Sequence, residues 1–149
     1  MDRRGSRPDQ VTRSAGAAAP PRVEVAVAIL LSQGRVWIQP RRTRDSLRGC
    51  WEFPGGKLER GESARDGLTR EVREELGLDL SDSPVQLYGR AHYSYPEQTV
   101  DIRFFLCRLP SPPSLGRGRW VELSRLNSYR FPPANRSIVR KLLEMKENT

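Results

Sequence analysis

The stretch GGKLERGESARDGLTREVREELG, residues 55–77, gathers Glu62, Glu71, Glu74 and Glu75 in a chain whose net charge at pH 7 is +8. Ser63 stands three residues before Asp66, the spacing of a capping box, and Gly77 suits a left-handed helix end. The spacing predicts a helix over residues 64–76. With roughly 100° between successive residues, Leu68, Val72 and Leu76 form an apolar stripe, and Glu71, Glu74 and Glu75 lie close together beside it. Carboxylates crowded at a core edge repel one another and lose hydration, so their charged forms need a counter-charge. Arg70 and Arg73 would supply it if this were a solvated face of i,i+3 and i,i+4 ion pairs. A divalent cation would supply it more fully. With oxygen ligands and no His or Cys in the stretch, Mg2+ is the first choice and Mn2+ the second. Mg2+ usually completes its shell with water and substrate phosphate, so a phosphorylated substrate is expected.

Outward from this helix the pattern changes period. RVEVAVAILLS (22–32) passes from alternation into a continuous apolar run, as a strand does on going from half-buried to buried, and RVWIQP (35–40) returns after a QG turn. Residues 41–50 lack periodicity and read as a loop. VQLYGRAHYSY (85–95) and TVDIRFFLCRL (99–109) are strand-like around a PEQ turn. PSPPSLGRGR (110–119) is a loop, WVEL (120–123) a short strand, and PANRSIVRKLLEMKEN (133–148) a closing helix. Strands, helix, strands and helix in this order predict an α/β chain, a mixed β-sheet with helices packed against it.

A chain of 149 residues suits one domain. Residues 1–21, poor in bulky apolar side chains, are expected to be a disordered basic tail, and residues 22–149 the domain. Asp2 and Asp9 argue against an organelle address in that tail. Cys50 and Cys107 lie in unrelated contexts and suggest neither a disulfide framework nor a metal site. No apolar stretch has membrane-spanning length and no secretory signal is evident. The expectation is a cytoplasmic protein without membrane association. All but three of its 26 basic residues are arginine. No block of them alternates with aromatics as a nucleic-acid surface would, so the surplus is read as solvated charge and a small molecule as the partner of a monomer.

Gly56, Glu62, Arg70-Glu71-Val72, Glu74-Glu75 and Gly77-Leu78, over residues 56–78, resemble the Nudix box at every fixed position. The resemblance implies an α/β/α sandwich and a metal-dependent hydrolase of nucleoside diphosphates linked to another group. Carried over by position, it implies metal ligation by Glu71 and Glu75, with Glu74 a further ligand or water-positioning carboxylate, and by the carbonyl of Gly55. It also implies that Arg70 orients a box carboxylate, that Glu62 supports the loop, and that Glu71 is the first candidate for general base. A non-catalytic nucleotide-sensing module on the same fold would not need these carboxylates.

WEFPGGK (51–57) and FPPAN (131–135) resemble the MutT branch, whose members hydrolyse 8-oxo-dGTP to the monophosphate and pyrophosphate and so protect DNA from mutation. In that register Arg41, Glu52, Phe53 and Asn135 fall on nucleotide-binding positions. An Asn carboxamide is a sensible reader, because oxidation turns guanine N7 from acceptor to donor beside the O6 acceptor, and one amide pairs with both. Core packing is the competing reading for Phe53, and an N-cap for Asn135. Trp51 and Trp120 are expected to be structural and His92 a surface residue. Gln98 stands where MutT members can carry a basic contact, and residues 114–120 lack the acid that some members use. CTP or modified dCTP therefore remains the alternative substrate.

Overall fold

The computed structural model describes residues 21–41 and 46–145. The expected tail therefore lies outside the described residues but for Pro21, as do residues 42–45 and the last residues of the closing helix. Among the described residues seven strands form one mixed sheet. They are β1 (Arg22–Ser32), β2 (Arg35–Pro40), β3 (Trp51–Glu52), β4 (Gly55–Lys57), β5 (Val85–Ser94), β6 (Thr99–Arg108) and β7 (Arg119–Glu122). The main path runs β3-β2-β1-β6-β5, with β4 on β1 and β7 on β2. β1 and β6 are parallel over ten residue pairs, from Arg22↔Thr99 to Leu31↔Arg108, and every other pairing is antiparallel.

The continuous apolar run of β1 reflects burial on both faces. Ala26, Ala28 and Leu30 face one layer, where they meet Leu68 and Val72 of helix α1 (Ala64–Leu76). Val27, Ile29 and Leu31 face the other, with Ile138 and Leu142 of helix α2 (Arg136–Leu143). The sheet is thus sandwiched between α1 and α2. Full burial of side chains such as Leu68 and Val72 contributes about 1.5–3 kcal/mol each.

α1 begins and ends where the sequence places its signals. Ser63 accepts the Asp66 N–H at 3.1 Å, and Gly77 (φ 68°) closes the helix by donating its N–H to the Arg73 carbonyl. Three features differ from the sequence reading. Trp51–Glu52 and Gly55–Lys57 are short strands, too short for their alternation to register. Leu123–Ser128, whose first residue was expected to end a strand, is a 3-10 helix. The closing helix opens as a 3-10 turn, Pro133–Asn135, before α2 proper. Pro132 and Pro133 cannot donate, so regular helical bonding starts later than the apolar pattern does.

Candidate active site

The site is assembled where β4 crosses the N-terminal half of β1 and meets α1. Gly55 pairs with Val27 and Gly56 with Ala26. A Cβ on Gly55 (φ 153°) would stand 2.3 Å from the Ala26 carbonyl oxygen, and one on Gly56 would stand 2.4 Å from the Glu71 carboxyl carbon. The first glycine lets two backbones touch. The second lets the Glu71 carboxylate lie directly on the β4 backbone.

Arg70 organises the acids on one side. It grips Glu62 through Nε (2.7 Å) and Nη2 (2.9 Å), donates from Nη1 to Glu71 (3.0 Å) and Glu74 (3.3 Å), and from Nη2 to the Lys57 carbonyl (3.2 Å). Glu62 also accepts the Glu59 N–H at 2.8 Å. The Arg70 bond first, and the Glu59 N–H next, lower the Glu62 carboxyl to about pKa 2, while Arg70 itself is raised, chiefly by Glu62. This two-pronged pair ties the loop before α1 to the helix.

Glu75, one turn beyond Glu71, is held from elsewhere. One of its carboxylate oxygens accepts Gln39 Nε2 at 3.1 Å and the Gly55 N–H at 3.3 Å. The Gln39 side-chain oxygen, Oε1, in turn accepts Trp37 Nε1 at 2.9 Å. An indole N–H is only a donor, so Gln39 must turn its NH2 toward Glu75. Much of the Glu75 side chain is open to solvent, yet its carboxyl end is drawn in against β2 and β4. Desolvation there raises its pKa, the Gln39 and Gly55 bonds oppose this, and the charges of Glu52 and Glu71 add to the rise.

Beside Glu75 opens a cavity of about 320 Å³. Its apolar side includes Val27, Phe53 and Ile102, and Arg41, Glu52, Gln98 and Asn135 are among its polar lining. Arg41 and Glu52 form an ion pair at 3.1 Å. Phe53 is stacked on Phe131, with centroids 5.0 Å apart and planes 15° from parallel. Asn135 sits at the N-terminus of α2 and is buried, but its side chain makes no capping bond and lines the cavity instead. A second cavity, about 360 Å³, lies against Glu52 and Glu75 with Arg117 on its wall.

A NUDIX domain model matches residues 25–141. The chain belongs to the Nudix family. It is 31% identical over 131 residues to the 8-oxo-dGTP diphosphatase of Haemophilus influenzae, covering 85% of this chain and 95% of that one. To the Escherichia coli protein of the same name it is 30% identical over 126 residues, 81% of this chain and 96% of the relative. A solved MutT structure, from work on the Aliivibrio salmonicida and Vibrio cholerae proteins, superposes with a TM-score of 0.67 at 28% identity, over 83% of this chain and 98% of that one. This Nudix chain is therefore a MutT-type pyrophosphohydrolase, acting on phosphoric anhydride bonds.

Arg41, Glu52, Phe53, Gly55, Glu75 and Asn135 all come together at the first cavity. Glu71 reaches from α1 onto the β4 backbone beside it, and Glu74 is mostly exposed at the outer edge. Glu71 and Glu75, the expected metal pair, are turned to different partners, and Glu74, the expected further ligand or water-positioning carboxylate, stands outside them. Among the described residues no three His, Cys, Asp or Glu side chains are grouped to hold a metal. Arg70 draws Glu71 and Glu74 one way, Gln39 draws Glu75 the other, and Gly55 turns its N–H toward Glu75. Arg70, expected to orient a box carboxylate, has its guanidinium committed to three carboxylates and a carbonyl. The donors nonetheless suit a hard divalent ion of the kind the family generally uses. Glu71 and Glu75 offer oxygen one turn apart over two glycines, where no Cβ intervenes, and water and phosphate commonly complete such a shell.

Gln39, Tyr95 and Phe131 belong to the site and were not singled out by sequence. Gln39 carried a signal as a polar residue in the strand RVWIQP, and Phe131 lay within the FPPAN stretch. Trp51 packs edge-on to Tyr129 and under Arg119. Trp120 donates to the Pro113 carbonyl at 2.9 Å. His92 is exposed on β5 and pairs with Asp101, which also binds Arg22. Cys50 and Cys107 are buried free thiols, and burial raises the Cys107 thiol to about 12. No helix among the described residues is long and apolar enough to cross a membrane.

Proposed function

We propose that this protein is a Mg2+-dependent nucleoside triphosphate pyrophosphohydrolase that converts 8-oxo-dGTP and water to 8-oxo-dGMP and pyrophosphate, protecting DNA from the oxidised nucleotide. It acts as a cytoplasmic monomer on a small molecule. The observation that carries the substrate reading is Asn135, whose buried carboxamide lines the cavity rather than capping α2. Its carbonyl can accept the N7–H of oxidised guanine while its NH2 donates to O6. Unoxidised guanine would set acceptor against acceptor, and a buried polar mismatch is rejected strongly. Phe53, backed by Phe131, supplies an apolar surface for the base.

Glu71, Glu75 and Gly55 would hold the metal, which when bound lowers the pKa of its water and neutralises charge on phosphate oxygens. Glu71 takes the proton of the attacking water on its carboxylate, in the orientation that Arg70 and Gly56 impose. Glu74, which also accepts from Arg70, is a further metal ligand or the carboxylate that positions the attacking water. Arg41 and Glu52, paired with each other on the cavity wall, are nucleotide-contacting residues, and Arg117 offers a cation across Glu75.

A pyrimidine reading is favoured by one observation. The chain is 44% identical over 59 residues to the CTP pyrophosphohydrolase of Escherichia coli, a match covering 40% of this chain and 44% of the relative. Turnover of 8-oxo-dGTP, dGTP and CTP in oxygen-labelled water with Mg2+ decides between them. The expected result is preferential cleavage of 8-oxo-dGTP to monophosphate and pyrophosphate, lost in chelator, with the labelled product identifying the phosphorus attacked. Faster CTP cleavage would move the assignment to pyrimidines, and undiminished cleavage in chelator would remove the metal.

A further inference from the structure

Tyr95 follows β5 and is buried, 8% exposed, in the wall of the nucleotide cavity. Its hydroxyl oxygen accepts the backbone N–H of Ala134 at 2.8 Å. A phenol has one proton to donate, and an oxygen that accepts from Ala134 must turn that proton away from it. Among the described residues nothing accepts the proton. The position is fixed on two sides. The Tyr95 backbone N–H closes the turn to β6 by donating to the Gln98 carbonyl at 2.8 Å, and its ring lies 4.7 Å from that of Tyr93. Ala134 immediately precedes Asn135, so the unspent donor and the Asn135 carboxamide belong to one wall of the cavity.

We propose that Tyr95 is a specificity residue whose hydroxyl donates to an exocyclic carbonyl oxygen of the bound base, selecting 6-oxo purines against 6-amino purines. The inference rests on the nucleotide reading above and extends it. Guanine O6 has two lone pairs and can accept from both the Asn135 NH2 and the Tyr95 hydroxyl. An adenine amino group in that place would bring its N–H groups against the same donors. The Tyr95 oxygen has already accepted from Ala134, so it is poorly placed to compensate. Burial, the first cause, raises the Tyr95 pKa, so the group remains a donor at neutral pH.

The test is Tyr95→Phe, assayed on 8-oxo-dGTP and 8-oxo-dATP, with calorimetric binding of the two monophosphate products as a readout independent of turnover. Loss of one neutral hydrogen bond predicts a fall of roughly 2- to 12-fold in kcat/KM on 8-oxo-dGTP, carried by KM. The 8-oxo-dATP value should hold or rise, so the discrimination ratio falls by that factor in both assays. Equal losses on both nucleotides would mean that the hydroxyl only props Ala134, and would overturn the inference, as would an unchanged ratio. In the wild type, preference for 8-oxo-dGTP over 8-oxo-dATP is required, and its absence also overturns it. A wild type that does not cleave 8-oxo-dGTP defeats the functional reading and this inference together. A wild type that does, with the ratio untouched in the variant, defeats this inference alone.

Discussion

At the scale of single residues, the two carboxylates expected to carry the metal are held by opposite means. Glu71 rests against bare backbone and a guanidinium, whereas Glu75 is gripped by an amide whose orientation a tryptophan dictates. Gln39→Leu removes the donor to Glu75 without touching substrate. Loss of an outer partner typically costs about 10–100-fold in metal affinity, and Mn2+ titration followed by electron paramagnetic resonance should show a weakening of that order. Glu75→Gln should lower turnover by more than that factor while product monophosphate still binds, because the cavity's base side is intact. Unchanged turnover would remove Glu75 from the metal site. Neither grip could be foreseen from spacing, since Gln39 lies far from Glu75 in sequence and meets it only across β2.

At the scale of elements, β4 and α1 act as one device. Two consecutive glycines have different reasons for being there, and substitution should separate them. Gly56→Ala sets a methyl against the Glu71 carboxylate, the end of a side chain that can swing aside. It should fold, with a Tm near wild type, and lose most of its kcat. Gly55→Ala sets the methyl against the Ala26 carbonyl and the Val27 Cα, which are fixed in the ladder. It should lower the Tm, and loss of kcat at an unchanged Tm would contradict this account. The limits of α1 were legible because a cap and a stop are local chemistry between near neighbours. β3 and β4 were not, since two or three residues become a strand only when β2 or β1 offers them a partner.

For the whole molecule, the Glu62–Arg70 pair fastens the loop before α1 to the helix and gives the fold an acid limit. The Glu62 carboxyl is depressed in the folded state, from 4.5 to about 2. Its contribution is therefore complete above the unfolded value and is lost as pH falls through that interval. Urea unfolding between pH 7 and pH 3 should show wild-type stability falling across the lower part of the range, with a shallower fall for Glu62→Gln. Identical slopes would show that the pair does not contribute. What the sequence by itself determined is the set of features written in short-range spacing: the family box, the helix it occupies, the order of the long strands and the all-oxygen character of its acids. These follow from backbone period and from the chemistry of residues a turn apart. Only the tertiary structure decided which acid faces which partner, that Asn135 looks into a cavity rather than capping its helix, that Tyr95 lines that cavity and that Phe131 backs Phe53 in its wall. Such contacts join residues far apart in the chain, and sheet register and side-chain packing, which no local pattern encodes, decide which of them meet.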